Sequence, residues 1–193
     1  MSPKRVVLAM TGASGAIYGL RLLEELKRAG CQVFLVLSAG AVATIAQETD
    51  LDLAKRILGK ADEFFDNSEV GASLASGSFH FDAMVIAPCS LNSLSMLHAG
   101  RADSLIGRCA LVAQKEHRRL ILMPRETPLP AVSLLQMYEL AMRGVDLAMA
   151  APAFYHRPTN IADLVDFMVA RVLNLLNIEH ALQAPWNHRE AKI

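Results

Sequence analysis

Apolar runs alternate with helical patterns along most of the chain. Nearly continuous apolar residues occupy positions 5–10, 32–37, 83–87, 119–123 and 145–149, as expected of strands that are buried on both faces. Between these runs, apolar residues recur at helical spacing over about 16–29, 41–47, 51–58, 103–117, 130–143 and 161–176. The alternation predicts an α/β protein, in which helices cover both faces of a doubly wound parallel sheet.

Two stretches depart from this alternation. Residues 60–78 include the charged segment 62–67 and many small residues, which predicts an exposed connection. The chain ends in a segment that follows the last helical pattern and contains the only tryptophan, Trp186. We therefore expect a single domain over 1–178, and a tail over 179–193 that packs on a neighbouring subunit or on the active site.

Small polar residues stand where strands give way to helices. Gly12, Ser14 and Gly15 follow the first run, Ser38 follows the second, and Ser90 follows the third. Ligands of parallel α/β sheets bind at the carboxyl ends of the strands, and free N–H groups at helix starts suit phosphate. The first turn matches neither G-x-G-x-x-G nor the P-loop lysine motif. By itself it is equally consistent with a phosphate cradle and with a tight turn that binds nothing.

Other residues carry charge or hydroxyl groups in unusual positions. Arg125, beside Glu126 at a strand end, is either an anion ligand or an ion-pair partner of Glu126. Tyr155 lies in a proline-bounded loop, where it either binds a ligand or packs locally. Arg171 interrupts an apolar helical stretch, so it needs a partner or must extend its head to solvent. Lys115 ends a helix, where solvation is the simplest interpretation.

Composition narrows the possible partners. Nineteen basic and nineteen acidic residues give a net charge of zero, which argues against nucleic acid and anionic membranes as partners. The apolar fraction of 53% is high for a soluble monomer. The longest uncharged stretch, 83–100, contains Pro, Ser, Asn and His, so it is a poor membrane span. We therefore expect a protein that buries apolar surface against copies of itself.

The cysteines and the start of the chain bear on location. Three cysteines, Cys31, Cys89 and Cys109, lack the spacing of metal ligands. Free thiols in a reducing cytoplasm are the simplest interpretation, and Cys89 is best explained as a small buried residue. Residues 1–5 lead directly into the first strand, which leaves no room for a signal peptide. We therefore expect a cytoplasmic protein with no bound metal.

Four segments, taken together and in order, resemble the UbiX/Pad family of flavin prenyltransferases, formerly described as aromatic-acid decarboxylases. They are TGASGAIY at 11–18, APCS at 87–90, PRETPL at 124–129 and PAFYHRP at 152–158, and the resemblance extends over roughly 4–178. It implies a Rossmann-like (flavodoxin-like) three-layer flavoprotein. It also implies an assembly that is usually a dodecamer built from trimers.

The resemblance implies a metal-independent transferase. Such enzymes join the dimethylallyl group of dimethylallyl phosphate to N5 and C6 of reduced FMN, which is a co-substrate. The product, prenylated FMN, is the cofactor of UbiD-type decarboxylases, which act in ubiquinone biosynthesis or on other aromatic acids. Monophosphate and diphosphate donors both stay open, and so do the departing phosphate and Glu126 as the base that removes the C6 proton.

The resemblance also assigns roles to residues. FMN would be held by Ala13, Ser14, Gly15, Ser38, Ser90, Leu91, Asn92, Ser93 and Arg125. Dimethylallyl phosphate would be bound, partly across a subunit interface, by Lys115, Glu126, Tyr155 and Arg171, with Phe79 and Trp186 as aromatic walls. Ser14, Glu48, Lys115 and Glu126 would be the catalytic residues, and Ser14 and Glu48 among them would assist proton movement.

The chain departs from the family at two places, and two alternatives remain. Asn92-Ser93 stands where the family commonly has Lys-Thr, and Cys109-Ala110-Leu111 stands where many members have Ala-Ala-Asp. One alternative is a non-catalytic FMN carrier, but the retained phosphate-binding residues argue against it. The other is a flavin-dependent cysteine decarboxylase of the phosphopantothenoylcysteine type, which shares the fold. The segments at 124–128 and 155–158 argue against that enzyme.

Overall fold

The structure is a computed structural model that describes residues 3–183. A six-stranded parallel sheet lies at its centre. The strands are β1 Arg5–Met10, β2 Gln32–Leu37, β3 Glu63–Asp66, β4 Ala83–Cys89, β5 Arg119–Pro124 and β6 Asp146–Leu147. Their order is β3-β2-β1-β4-β5-β6, and every pair is parallel. The predicted doubly wound parallel sheet is therefore confirmed. The order reverses between β1 and β4, which is where such sheets bind ligands.

Helices cover both faces of the sheet. They are α1 Ala16–Arg28, α2 Ala39–Glu48, α3 Leu51–Leu58, α4 Leu91–His98, α5 Leu105–Lys115, α6 Ala131–Met142 and α7 Ile161–Leu175. One apolar core joins the sheet to α1, α2, α3 and α7, and a second joins it to α4, α5 and α6. The three-layer arrangement follows, because each central strand is buried on both faces. No helix within residues 3–183 is long and apolar enough to cross a membrane.

The expectation of an exposed connection over 60–78 is wrong for β3. This strand pairs with β2 at the edge of the sheet, with Phe34 opposite Glu63. Its four residues begin and end with acidic side chains, and Phe64 is 57% exposed. Edge strands need only one paired side and often carry charge. The apolar pattern that identified the central strands is therefore missing here.

Candidate functional site

A cleft of about 730 Å³ opens at the carboxyl ends of the central strands. The turns after β1, β2 and β4 all contribute to its wall, through Gly12, through Ser38–Gly40, and through Ser90, Asn92 and Ser93. The cleft then follows α4 as far as the loop that connects α4 to α5. Its volume is in the range of cofactor sites, and it lies where the strand order reverses, as expected for this class of sheet.

Two helices begin at this cleft. The hydroxyl of Ser38 accepts a hydrogen bond from the backbone N–H of Ala41 at 3.1 Å and caps α2. The hydroxyl of Ser90 accepts from the N–H of Ser93 at 3.2 Å and donates to the Ser93 hydroxyl at 3.0 Å, which caps α4. The earlier N–H groups of each helix have no acceptor within the helix. Together with the positive ends of the helix dipoles, they make this wall suitable for a phosphate.

Two glycines set the spacing between the first two turns. A Cβ atom on Gly12 would lie 3.0 Å from Cα of Gly40, and a Cβ on Gly40 would lie 3.0 Å from Cα of Gly12. The two turns therefore touch backbone to backbone, at a distance that side chains do not allow. This contact fixes one end of the cleft.

The N-terminus of α1 is already occupied by a carboxylate. Oε2 of Glu48, at the end of α2, accepts hydrogen bonds from the N–H groups of Gly15 at 2.8 Å and Ala16 at 2.9 Å. Partial burial raises the pKa of Glu48, but hydrogen bonds from Ser14, Ala16 and Gly15 outweigh it and lower the pKa overall. The interpretation of the first turn as a phosphate cradle therefore does not fit these N–H groups. The helix starts that remain available to a phosphate at the cleft are those of α2 and α4.

Arg125 joins this polar cluster from the end of β5. Its Nε donates to the carbonyl oxygen of Ser14 at 2.9 Å, and its charge helps to lower the pKa of Glu48. Glu126 instead accepts from the backbone N–H of Thr127 at 3.0 Å, and no ion pair joins Arg125 to Glu126 among the described residues. The alternative that Arg125 serves only as an ion-pair partner of Glu126 is therefore wrong. Ser14, Glu48 and Arg125 lie together at the carboxyl edge, the end of the sheet where the central strands finish.

Thr11 also belongs to the site, although it is not among the residues predicted from the sequence. Its side chain is buried, with the residue 2% exposed. Oγ1 donates to the carbonyl oxygen of Pro88 at 2.9 Å and accepts from the N–H of Ser90 at 2.8 Å. Thr11 thus ties the end of β1 to the turn after β4. A hydroxyl at the end of an otherwise apolar strand was the available signal.

Tyr155 and Arg171 lie on the side of the sheet covered by α7. The Tyr155 ring meets Phe167 edge-on, with centroids 5.8 Å apart, and its hydroxyl accepts from Nε2 of Gln183 at 3.0 Å. Arg171 follows Phe167 by one turn of α7, so the two share a helix face. Arg171 is exposed, which matches the interpretation that its head extends to solvent.

Lys115 and Phe79 lie at the amino edge, the end of the sheet where the strands begin. Lys115 ends α5 just before β5 begins, and its Nζ is 3.6 Å from Oε1 of Glu116. The Phe79 ring lies 4.5 Å beneath the guanidinium of Arg5, the first residue of β1. A six-residue strand spans about 20 Å, so this edge is far from Ser14. One copy of the chain therefore does not bring Lys115 together with the residues of the carboxyl edge.

Two remaining predictions concern Trp186 and Cys89. Trp186 lies outside the described residues. Cys89 is fully buried, and burial raises the pKa of its thiol to about 12. It is therefore protonated at neutral pH and poorly nucleophilic, as expected of a small buried residue.

Comparisons with known proteins give a consistent result. The family model described as Flavoprotein matches residues 1–173. The chain is 43% identical over 188 residues to the flavin prenyltransferase UbiX of Thauera aromatica, which covers 97% of this chain and 96% of that protein. A crystal structure of AnUbiX in complex with FMN and dimethylallyl pyrophosphate superposes with a TM-score of 0.91 at 39% identity, covering 96% of this chain and 98% of that one. A dodecameric FMN-dependent UbiX-like decarboxylase from Escherichia coli O157:H7 has a TM-score of 0.91 at 38% identity, covering 95% of this chain and 99% of that one.

Proposed function

The chain belongs to the UbiX flavin prenyltransferases of the Flavoprotein family, and from this membership we propose how its residues carry out the reaction. The protein is a transferase that joins the dimethylallyl group of a dimethylallyl phosphate to N5 and C6 of reduced FMN. The prenylated FMN is then used by UbiD-type decarboxylases. Family membership favours this function over the carrier and cysteine decarboxylase alternatives.

FMN fits the cleft at the carboxyl edge. Its phosphate would be held by the starts of α2 and α4, through Ser38 and the segment Ser90–Ser93, whose N–H and hydroxyl groups suit an anion. Its ring system would lie against Ala13, Ser14 and Arg125. When bound, the reduced flavin supplies the nucleophile of the reaction. The observation that carries this proposal is the polar cluster of Ser14, Glu48 and Arg125 beside two helix starts.

Ser14 and Glu48 would move a proton at the flavin. The lowered pKa of Glu48 keeps it a carboxylate at neutral pH, held by the N–H groups of Gly15 and Ala16. Because Ser14 also donates to this carboxylate, the pair provides a path between the flavin and Glu48. The same hydrogen bonds make Glu48 a weak base, so it would orient the Ser14 hydroxyl and pass a proton on rather than keep it.

The donor phosphate would be bound by residues from two copies of the chain. Tyr155, Arg171 and Glu126 would come from one copy, and Lys115 and Phe79 from a neighbour. Cationic and hydroxyl groups stabilise negative charge that develops on a leaving phosphate. The aromatic ring of Phe79 would shield the dimethylallyl group from water and stabilise its developing positive charge. The base for the C6 proton would be Glu126 or the departing phosphate.

We propose that the chain assembles into a homo-oligomer, a dodecamer, because the donor phosphate site takes residues from two copies. One face of α6 is apolar yet exposed, with Val132 at 59%, Leu135 at 56% and Met142 at 72%. An exposed apolar face of this kind is typical of a surface that other copies cover. The UbiX-like protein of Escherichia coli O157:H7 is described as dodecameric.

Three further expectations are part of the proposal. Residues 1–178 would form one domain, and the tail over 179–193 would pack on a neighbouring subunit or on the active site. The hydrogen bond from Gln183 to the Tyr155 hydroxyl supports a position near the active site for the start of the tail. The protein would be cytoplasmic, since its three cysteines are free and buried.

Anaerobic mixing of the protein with reduced FMN and dimethylallyl monophosphate tests the reaction. Mass spectrometry of the flavin should show FMN plus one C5 unit. A parallel reaction with the diphosphate determines which donor is used. Bound FMN without an adduct from either donor would contradict the transferase and favour the FMN carrier.

Two substitutions test the assignment of the phosphate residues. Lys115→Ala and Glu126→Gln should retain FMN but lose most turnover, because neither residue is among those that line the cleft where the FMN phosphate would bind. Lys60→Ala is the matched control, since Lys60 is also an exposed lysine paired with a glutamate, Glu24, at 2.7 Å. Loss of FMN from either site variant would show that its residue belongs to a different site.

Mixing these two variants tests whether the site is shared. Lys115 lies at the amino edge and Glu126 at the carboxyl edge, so oligomers that contain both variants would include some sites with both residues intact. Co-assembled protein should therefore recover part of the wild-type rate. Turnover no higher than that of the separate variants would mean that each copy uses its own Lys115.

A further inference from the structure

Arg101 lies in the FMN cleft at a position fixed by the end of α4. Gly100 adopts the left-handed conformation, with φ of +65°. The N–H of Arg101 donates to the carbonyl oxygen of Met96 at 3.0 Å, and the N–H of Gly100 donates to that of Leu97 at 3.1 Å. This pair of bonds is the Schellman motif, which closes a helix in one defined geometry. The backbone of Arg101 is therefore held against the cleft wall.

The charge balance of the cleft singles out this arginine. Among the described residues that line the cleft, Arg101 is the only cation and Asp103 the only anion. Their side chains form an ion pair. Asn92, at the start of α4, is neutral where the family commonly has lysine. The helix starts and hydroxyls offer only partial charges to a phosphate, and Arg125 lies outside this lining with its Nε on the Ser14 carbonyl. Among the residues that line the cleft, a full positive charge can therefore come only from Arg101.

Arg101 is placed to reach a phosphate at the start of α4. Arg101 and Asn92 line the same cleft. Met96, whose carbonyl oxygen accepts from the Arg101 backbone, is four residues from Asn92, about 6 Å along the helix axis, so an extended arginine side chain can follow the cleft wall toward the start of α4. The ion pair with Asp103 does not prevent the movement, because the two side chains are 65% and 52% exposed. Exposed ion pairs contribute little to stability and exchange readily.

We propose that Arg101 exchanges Asp103 for the phosphate of FMN, and that this contact makes the chain select FMN over unphosphorylated riboflavin. The inference rests on the proposed function only in taking FMN as the ligand of the cleft. Asp103 then has the opposite effect, because its carboxylate competes with the phosphate for Arg101 and repels it. Arginine suits the role, since its guanidinium binds phosphate in a bidentate manner.

Flavin affinities of the full-length protein test the proposal, measured by flavin fluorescence without any dimethylallyl phosphate. Arg101→Met should weaken FMN about tenfold or more, the value of a charge-assisted hydrogen bond, and leave riboflavin unchanged. Asp103→Asn should tighten FMN and leave riboflavin unchanged. Arg101→Lys keeps the charge but loses the bidentate contact, so FMN should weaken by less than in Arg101→Met. The loss in Arg101→Met should shrink as salt concentration rises.

Arg119→Met is the matched control, because Arg119 is another exposed arginine paired with a carboxylate, Asp146, at 3.4 Å. It begins β5, at the opposite end of the strands from the FMN cleft, and is not among the residues that line that cleft, so both flavins should bind as in wild type. Equal weakening of FMN and riboflavin by Arg101→Met would overturn the proposal, since it would indicate a structural role. FMN affinity unchanged in both Arg101→Met and Asp103→Asn would overturn it as well.

Failure of the transferase and failure of this inference give different results. Wild-type protein that prefers FMN but forms no C5 adduct would contradict the reaction, and the Arg101 substitutions would still decide the inference. Wild-type protein that forms the adduct but binds riboflavin as tightly as FMN would contradict the inference alone. Should Arg101→Met fail to fold, Asp103→Asn decides the question by the sign of its effect.

Discussion

Thr11 joins two strand ends, and replacing it tests how strongly the site depends on that link. Thr11→Val keeps the shape of the side chain but removes the hydroxyl that donates to the Pro88 carbonyl at 2.9 Å and accepts from the Ser90 N–H at 2.8 Å. The Pro88 oxygen keeps the backbone N–H of Thr11 as a donor at 3.2 Å. The Ser90 N–H is left without its acceptor beside a residue that is 2% exposed.

The expected loss of stability follows from the hydrogen bonds that Thr11→Val removes. An unsatisfied donor costs about 1–3 kcal/mol when it is buried. The Ser90 N–H is only partly buried, so the lower end of that range applies, and the lost hydroxyl bond adds about 1 kcal/mol. We expect the free energy of unfolding to fall by about 2 kcal/mol, which lowers the urea midpoint by about 1 M. FMN affinity should fall as well, because Ser90 caps α4 at the cleft.

Urea unfolding followed by circular dichroism measures the effect, at one protein concentration because assembly contributes to stability. Thr44→Val is the matched control, since its hydroxyl bonds the Gly40 carbonyl at 2.8 Å in an exposed helical turn. The control should change stability by less than about 0.5 kcal/mol. A loss for Thr11→Val no greater than that of Thr44→Val would refute the reasoning.

Three further predictions concern the first turn, the cleft wall and the assembly. Hydrogen bonds lower the pKa of Glu48 in the folded protein, so its carboxylate stabilises the fold above about pH 4.3, and this stabilisation is lost as pH falls through the folded-state pKa. Urea midpoints measured between pH 7 and 3.5 should therefore show the difference between wild type and Glu48→Gln shrinking toward acid pH. Gly12→Ala puts a Cβ atom 3.0 Å from Cα of Gly40, which should cost about 1–3 kcal/mol of stability and weaken FMN in fluorescence titrations. Leu135→Asp on the exposed face of α6 should yield smaller species in size-exclusion chromatography, with an unchanged circular dichroism spectrum.

The sequence predicts the central strands because their environment leaves a simple signal. β1, β2 and β4 are buried on both faces, so each appears as an unbroken apolar run. β3 gives no such signal, because it lies at the edge and its ends are acidic. β6 pairs through only two residues, Asp146 and Leu147, within the longer apolar run at 145–149.

The candidate site divides in the same way. The position of Ser38 and Ser90 follows from local rules, because parallel strands end at one edge and helices begin there. The contact of Glu48 with the start of α1 depends on how α2 packs against α1, and no local pattern contains that information. Only the family resemblance predicts that Lys115 binds the donor phosphate. Its position at the far edge explains why its own neighbours in sequence indicate nothing more than a solvated helix end.

The buried thiol of Cys89 has a consequence for an enzyme that handles an alkylating agent. Thiolates are the most nucleophilic side chains, and Cys89 directly precedes Ser90 at the cleft. With its pKa raised to about 12 by burial, the thiol stays protonated at pH 7. Cys109, with a pKa of about 12, is similarly protected. Burial thereby protects the enzyme from allylating itself, and the activated dimethylallyl group is left to react with the flavin.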